Sequence, residues 1–250
     1  MTHAAESTHF YTQDGEPAYE VPNASKGGMR PTTVRDAKKL GYLPSVTTII
    51  RCADRPALTN WMVDQGILAA LTLPRNAGEL EADWLKRVKQ DSREQARKAA
   101  ERGTAIHAAI QGHYEGQQPS EADWPYVQGA MKAVGLGTWE PERSFAHKLG
   151  FGGKVDLSND GMVLDFKTKE FGHDDDLRTW DEHAMQLAAY RQGLNVQKAK
   201  CAICYVSVNN PGVARMIEIP EDELERGWNC FMALLLFWQA KNRYPAPQSA

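Results

Sequence analysis

The chain has 250 residues, 42% hydrophobic and 24% charged, with a formal net charge of −3 at pH 7. That size and apolar share predict one soluble globular domain with a substantial core. No apolar run is long enough to span a membrane and the opening residues show no signal-peptide pattern, so no membrane partner and a cytoplasmic location are expected. The slight acidity is no electrostatic advertisement for nucleic acid.

Residues 1–41 are polar, with Gly, Pro and Thr scattered and little periodicity, and are expected to form an irregular arm. Residues 42–91 are expected to form a helical cap, and 120–134 a further helix beside it. Lys86, Lys89, Arg93 and Arg97 share one quadrant if 84–98 is a single helix, although Asp91-Ser92 could break it. Such a stripe is either a solvated face or a track for phosphates.

A helix is predicted over 92–113, rich in Ala, Arg, Glu and Gln, with Ser92 as N-cap and Gly116 past its end. It holds Gly103-Thr104-Ala105-Ile106-His107. His107 sits among Ala105, Ile106, Ala108, Ala109 and Ile110. An imidazole there is either a hydrogen-bonded core residue or a neutral ligand for a divalent ion.

Strands are predicted near 140–147, 151–157, 162–168, 200–208 and 213–219. The second and third flank Ser158-Asn159-Asp160-Gly161, which reads as the turn of a hairpin. Asp156 ends the Gly153-x-x-Asp156 run. Side chains two apart on a strand share a face, so Asp165 and Lys167 point the same way, alpha carbons roughly 6.6 Å apart. Leu164, Phe166 and Thr168 take the other face. A charged pair at the end of an apolar strand costs free energy unless it is paired or binds metal. Glu142, on the first strand, reads as a structural neighbour of these groups.

Asp174-Asp175-Asp176 reads as a solvated loop. The helix that follows, about 180–194, places Gln186 and Tyr190 four apart on one face, roughly 6 Å along the axis. A buried helix is expected from near Glu221 to near Arg243, then a loose tail over 244–250. Of the four cysteines, Cys201 and Cys204 form a C-x-x-C on a predicted strand. Residues three apart on a strand face opposite sides, so they could not easily ligate one cluster. With Cys52 and Cys230 elsewhere, four free thiols and no iron–sulfur cluster are expected.

The ordered set is Gly103 to His107, Gly153 to Asp156, Asp165 to Thr168, and Gln186 to Tyr190. It resembles the RecB-type branch of the PD-(D/E)xK nuclease superfamily, whose pattern runs Gly-Thr-x-x-His, Gly-x-x-Asp, Asp-x-Lys-Thr, Gln-x-x-x-Tyr. The likeness spans residues 92–208, and each motif is weak alone. Upstream, Pro44 to Ile50 with Trp61 is more loosely similar to mitochondrial genome maintenance exonucleases and phage relatives.

The resemblance implies an α/β, restriction-endonuclease-like core over 92–243, a central mixed sheet flanked by helices, with the N-terminal helical cap. It implies a DNA exonuclease using Mg²⁺ or Mn²⁺ in recombination, repair or end-processing, in a bacterial or phage-infected cell. Asp156, Asp165 and Lys167 would be catalytic. His107, Asp156, Asp165 and the Phe166 carbonyl would hold metal. Gln186, Tyr190 and Thr168 would position DNA. The partners implied are single- or double-stranded DNA ends and a single-strand-annealing or recombinase protein, with no membrane. An endonuclease on the same core and a non-catalytic DNA-end or recombinase-binding module remain alternatives.

Overall fold

Five strands form the central sheet in the order β5 (Glu140–His147), β6 (Phe151–Asn159), β7 (Met162–Lys169), β8 (Lys200–Ser207) and β9 (Ala214–Ile219). The neighbours β5–β6, β6–β7 and β8–β9 run antiparallel, and β7–β8 run parallel. The sheet is therefore mixed, and helices cover both faces. This computed structural model describes residues 9–23 and 27–244. The parts of the expected arm and tail at 1–8, 24–26 and 245–250 lie outside the described residues.

The chain divides into two units, Met1–Ala53 with Ile106–Ala250, and Asp54–Ala105. In the first, α6 (Asp181–Gly193) and α7 (Glu221–Asn242) pack on one sheet face with α2 (Val46–Ile50). On the other face lie α5 (Trp124–Val134) and the C-terminal part of α4 (Glu81–Tyr114), through Ile106 and Ile110. Side-chain alternation along β7 explains the two layers. Val163 joins the core shared with α6, and Leu164 and Phe166 join the core shared with α4 and α5. Each such Leu, Ile or Phe contributes about 1.5–3 kcal/mol by leaving water.

Local signals set the elements. Asp160-Gly161 closes the β6–β7 hairpin, and Asn159 Oδ1 accepts the N–H groups of Gly161 and Met162, both at 2.9 Å. That side-chain bond mimics a backbone turn. Helix α7 opens with Glu221, Asp222 and Glu223 at the positive end of its dipole. Arg191 on α6 grips Glu221 with two bonds of 2.7 and 2.8 Å. Gly227 of α7 lies against the Ala184 backbone, where an added Cβ would stand 2.6 Å from it. The two helices cross closely only because that side chain is absent.

Three expectations change. Residues 9–41 are not all irregular. They hold β1 (Phe10–Tyr11), β2 (Glu20–Pro22), β3 (Met29–Pro31) and α1 (Val34–Leu40). Strand β1 pairs with β4 (Leu43–Pro44), and α1 carries a Thr33–Asp36 capping box and a left-handed Gly41 at its end. None of these pieces is long enough to show periodicity. Helix α2, at the start of the expected cap, is built into the first unit, because Val46, Ile49 and Ile50 are buried there. Finally, α4 begins at Glu81 and passes Ser92 without a break. A mid-helix Asp and Ser cost at most about 0.7 kcal/mol each, which pairs such as Arg97–Glu94 at 2.6 Å help to offset.

The second unit comprises α3 (Pro56–Thr72) and the first part of α4. Helix α3 leaves Met62, Val63, Ile67, Leu68 and Leu71 more than half exposed. Lys86, Lys89, Arg93 and Arg97 do share one face of α4, lining with Ala82, Leu85, Gln90 and Glu94 a concavity of about 680 Å³.

Candidate active site

Strands β6 and β7 pair from Asn159↔Met162 to Leu157↔Leu164 and then part. The next register position sets Asp156 against Asp165. At that opening the Asp156 carboxylate crosses the gap. Its Oδ2 accepts the Phe166 backbone N–H at 2.8 Å and lies 2.9 Å from His107 Nε2. The Phe166 carbonyl faces the same strand edge as its N–H. The facing pattern of β6 also switches here: Val155 belongs to the α6-side core and Leu157 to the α4-side core. Across from Asp156, the β5–β6 register passes over Glu142, which holds a left-handed φ of 53°. A non-glycine residue seldom adopts that conformation.

Asp165 is 3% exposed. Its Oδ1 accepts Gln186 Nε2 at 2.7 Å, and its Oδ2 is 2.5 Å from Lys167 Nζ. Gln186 Nε2 also donates to the Tyr190 hydroxyl at 3.0 Å, and Gln186 Oε1 accepts Lys167 Nζ at 3.3 Å. The four-residue spacing on α6 thus delivers an amide and a phenol to one point above β7. Gly153 makes room beneath them. A Cβ there would meet the Phe145 ring at 2.8 Å and the Tyr190 ring at 3.0 Å.

The two aspartates differ electrostatically. Burial pushes the Asp165 carboxyl up to about 6, reinforced by the Asp156 charge and opposed by Lys167. Burial also raises Asp156, but His107, Lys167 and the Phe166 N–H outweigh it and hold this carboxyl below the usual range. The Asp156 charge in turn lifts His107 to about 9, against its burial. Adjacent carboxylates with separated affinities are a common feature of acid–base and metal sites.

His107, Asp156, Phe166, Asp165, Lys167, Gln186 and Tyr190 are therefore gathered at the open end of β6 and β7. Thr168 is not. It pairs with Val206 and, two residues beyond Phe166, faces away from Gln186. Glu142 is closer than a bystander: its buried carboxyl is paired with Lys154, two residues before Asp156. Tyr11 and Tyr19 escaped the sequence reading. Their hydroxyls are 2.8 Å apart, and Tyr11 lies over Gly152. Lys154 was findable by its spacing from Asp156, whereas Tyr11 and Tyr19 arrive by a tertiary contact that no local pattern encodes.

Two carboxylates, an imidazole and a carbonyl are suitable donors for Mg²⁺ or Mn²⁺. As they stand, no three His, Cys, Asp or Glu side chains among the described residues converge on one point. The reason is visible in the bonding. His107 Nε2 is engaged with Asp156 Oδ2, and the Lys167 ammonium with Asp165 Oδ2. A divalent ion held by these donors would require Lys167 to leave Asp165, with Gln186 Oε1, already 3.3 Å from its Nζ, as the remaining acceptor. The four cysteines are free, with Cys201 and Cys204 buried on opposite faces of β8. No helix among the described residues is long and apolar enough to cross a membrane.

No family model matches the chain, and no curated protein does. Among solved structures, it is similar to a protein of Eubacterium rectale named "Putative exonuclease", at 12% identity and a TM-score of 0.42, covering 60% of this chain and 71% of that one. It is also similar to the protein SSO0001, at 18% identity and a TM-score of 0.27, covering 45% of this chain and 58% of the other. Likeness of this degree assigns neither activity nor substrate.

Proposed function

We propose that the protein is a metal-dependent deoxyribonuclease that hydrolyses phosphodiester bonds from DNA ends, in recombination, repair or end-processing. The observation that supports this reading is the position of Asp156 and Asp165 at the parting of β6 and β7, with Lys167 shared between Asp165 and Gln186. Mg²⁺ or Mn²⁺ would be held by Asp156, Asp165, His107 and the Phe166 carbonyl, and when bound would acidify water and neutralise charge on the phosphorane.

The chain's own groups do the rest. The Phe166 N–H fixes the rotation of Asp156. His107 must shed its proton to offer Nε2 as a donor, so it serves as a ligand only as the neutral ring. Lys167, released from Asp165 and kept by Gln186 Oε1, orients the attacking water or meets the charge that develops on the phosphate. Gln186 and Tyr190 hold that lysine and the phosphate in register. Leu164 and Phe166 close the site from behind by filling the opposite core.

Incubating linear DNA with Mg²⁺, Mn²⁺ or EDTA tests this, with wild type beside Lys167→Ala. Cleavage is expected with either metal, to be absent in EDTA, and to vanish in the variant while DNA binding persists. Undiminished turnover by Lys167→Ala would remove the assignment.

A further inference from the structure

Beside the carboxylates, on β6 and the segment from residue 9 to residue 19, lies a second cluster that the mechanism does not use. The Lys154 ammonium is paired with the buried Glu142 carboxyl and lies within electrostatic reach of Tyr19 and Asp156. The Lys154 side chain is 32% exposed against 12% for Glu142, so the carboxylate that holds the ammonium is the more deeply buried partner. Tyr19 is half-buried. It stacks on the half-buried His9 ring with centroids 4.4 Å apart and planes 26° apart. Its hydroxyl is fixed by Tyr11, whose ring meets it edge-on at 5.7 Å. Tyr11 is buried over Gly152, and Ser45 bridges to the same glycine, so the whole cluster is tied to the strand that carries Asp156.

A stacked, partly exposed aromatic pair next to a partly exposed ammonium offers a π-face for a base and a positive charge for a phosphate. Lys154 is one strand repeat, roughly 6.6 Å, from Asp156, so its phosphate would adjoin the one held at the carboxylates. We propose that Tyr19 with His9, together with Lys154, binds the nucleotide flanking the scissile phosphate, as an unpaired base. The subsite rests on the nuclease reading and deepens it: the substrate class is a single strand or a frayed end, because a base still stacked in duplex cannot lie on Tyr19 or His9. Glu142 is a positioning residue that holds the Lys154 ammonium.

Fluorescence anisotropy in EDTA, with a labelled oligothymidine and a labelled blunt hairpin duplex, tests the proposal. Tyr19→Ala is expected to weaken oligothymidine binding about 5- to 150-fold, as loss of one stacked base does, and to leave the duplex nearly unchanged. Tyr19→Phe, which keeps the ring, should bind like wild type. Lys154→Met should reduce the salt slope on oligothymidine by about 0.7, the share of one phosphate. Equal loss on both probes, or no loss in Tyr19→Ala and no change of slope in Lys154→Met, overturns the subsite. If circular dichroism shows Tyr19→Ala unfolded, the Lys154→Met slope decides alone. Failure of wild type to bind either probe would instead count against the nuclease reading itself.

Discussion

Asp156 and Asp165 take opposite sides of the first register position beyond the β6–β7 ladder, and their environments hold them at different proton affinities. The ladder keeps the two strands together up to Leu157 and Leu164. Past that point, on the β6 edge of β7, the Phe166 N–H is bonded to a side chain, Asp156. A regular hairpin continued by one more pair would set the two carboxylates side by side on one face. The parting of the strands creates the site.

Removing the hub of the Asp165 cluster should be costly. Gln186→Leu strips Asp165 Oδ1 of its donor and Lys167 Nζ of an acceptor. An unsatisfied buried group costs about 1–3 kcal/mol, more if charged. Urea unfolding of the metal-free protein should register a loss of that order. An unchanged midpoint would mean that the amide does not hold the carboxylate.

Gly153→Ala should destabilise the fold by about 1–3 kcal/mol through overpacking, since the Phe145 and Tyr190 rings would have to move. Gly66→Ala provides the control. That position lies within α3 with open space around it, and helix propensity favours Ala by about 1 kcal/mol. Thermal unfolding of the two variants should shift in opposite directions.

The His107–Asp156 pair makes metal-free stability depend on pH. The folded value of about 9 lies above the ordinary 6.5. The contribution is therefore fully present below the ordinary value and is lost as pH rises through the folded one. The melting temperature in EDTA should fall across this window in wild type and fall less in His107→Gln. Parallel curves for the two proteins would show that the pair contributes nothing.

The α4 stripe has its own test. If Lys89 and Arg93 each neutralise one phosphate, reversing both to Glu should lower the salt slope of duplex binding by roughly 1.8, at ~0.9 per contact. Unchanged binding would leave the stripe a solvated face. Arg97 is a poorer choice for this experiment, because Glu94 and Glu101 already engage it.

Much of the sheet could be read from the sequence because its strands are short apolar runs punctuated by turn residues. Asn159-Asp160-Gly161 and the Asp165–Lys167 alternation placed the hairpin and the facing of its side chains. The i, i+4 spacing of Gln186 and Tyr190 likewise survived folding as a direct hydrogen bond. What could not be read depends on contacts between distant segments. Tyr11 reaches β6 by contact with Gly152, and Tyr19 by its bond to Tyr11, from strands only two or three residues long. Glu142 turns left-handed where intrinsic preference opposes it, and the start of α4 was missed because local ion pairs outweigh the signals of Asp91 and Ser92. Thr168 was grouped with the site through the Asp-x-Lys-Thr resemblance, though strand alternation places it on the face opposite Asp165 and Lys167.

The most direct test of the central claim uses end-labelled linear DNA beside a covalently closed circle, with Mg²⁺, with Mn²⁺ and with EDTA, for wild type and Asp165→Ala. The expected result is metal-dependent loss of linear DNA alone, absent in the variant, with the position of the released label giving the polarity. Cutting of the closed circle would contradict action from ends. No cleavage under any condition, with DNA still bound, would contradict a nuclease altogether.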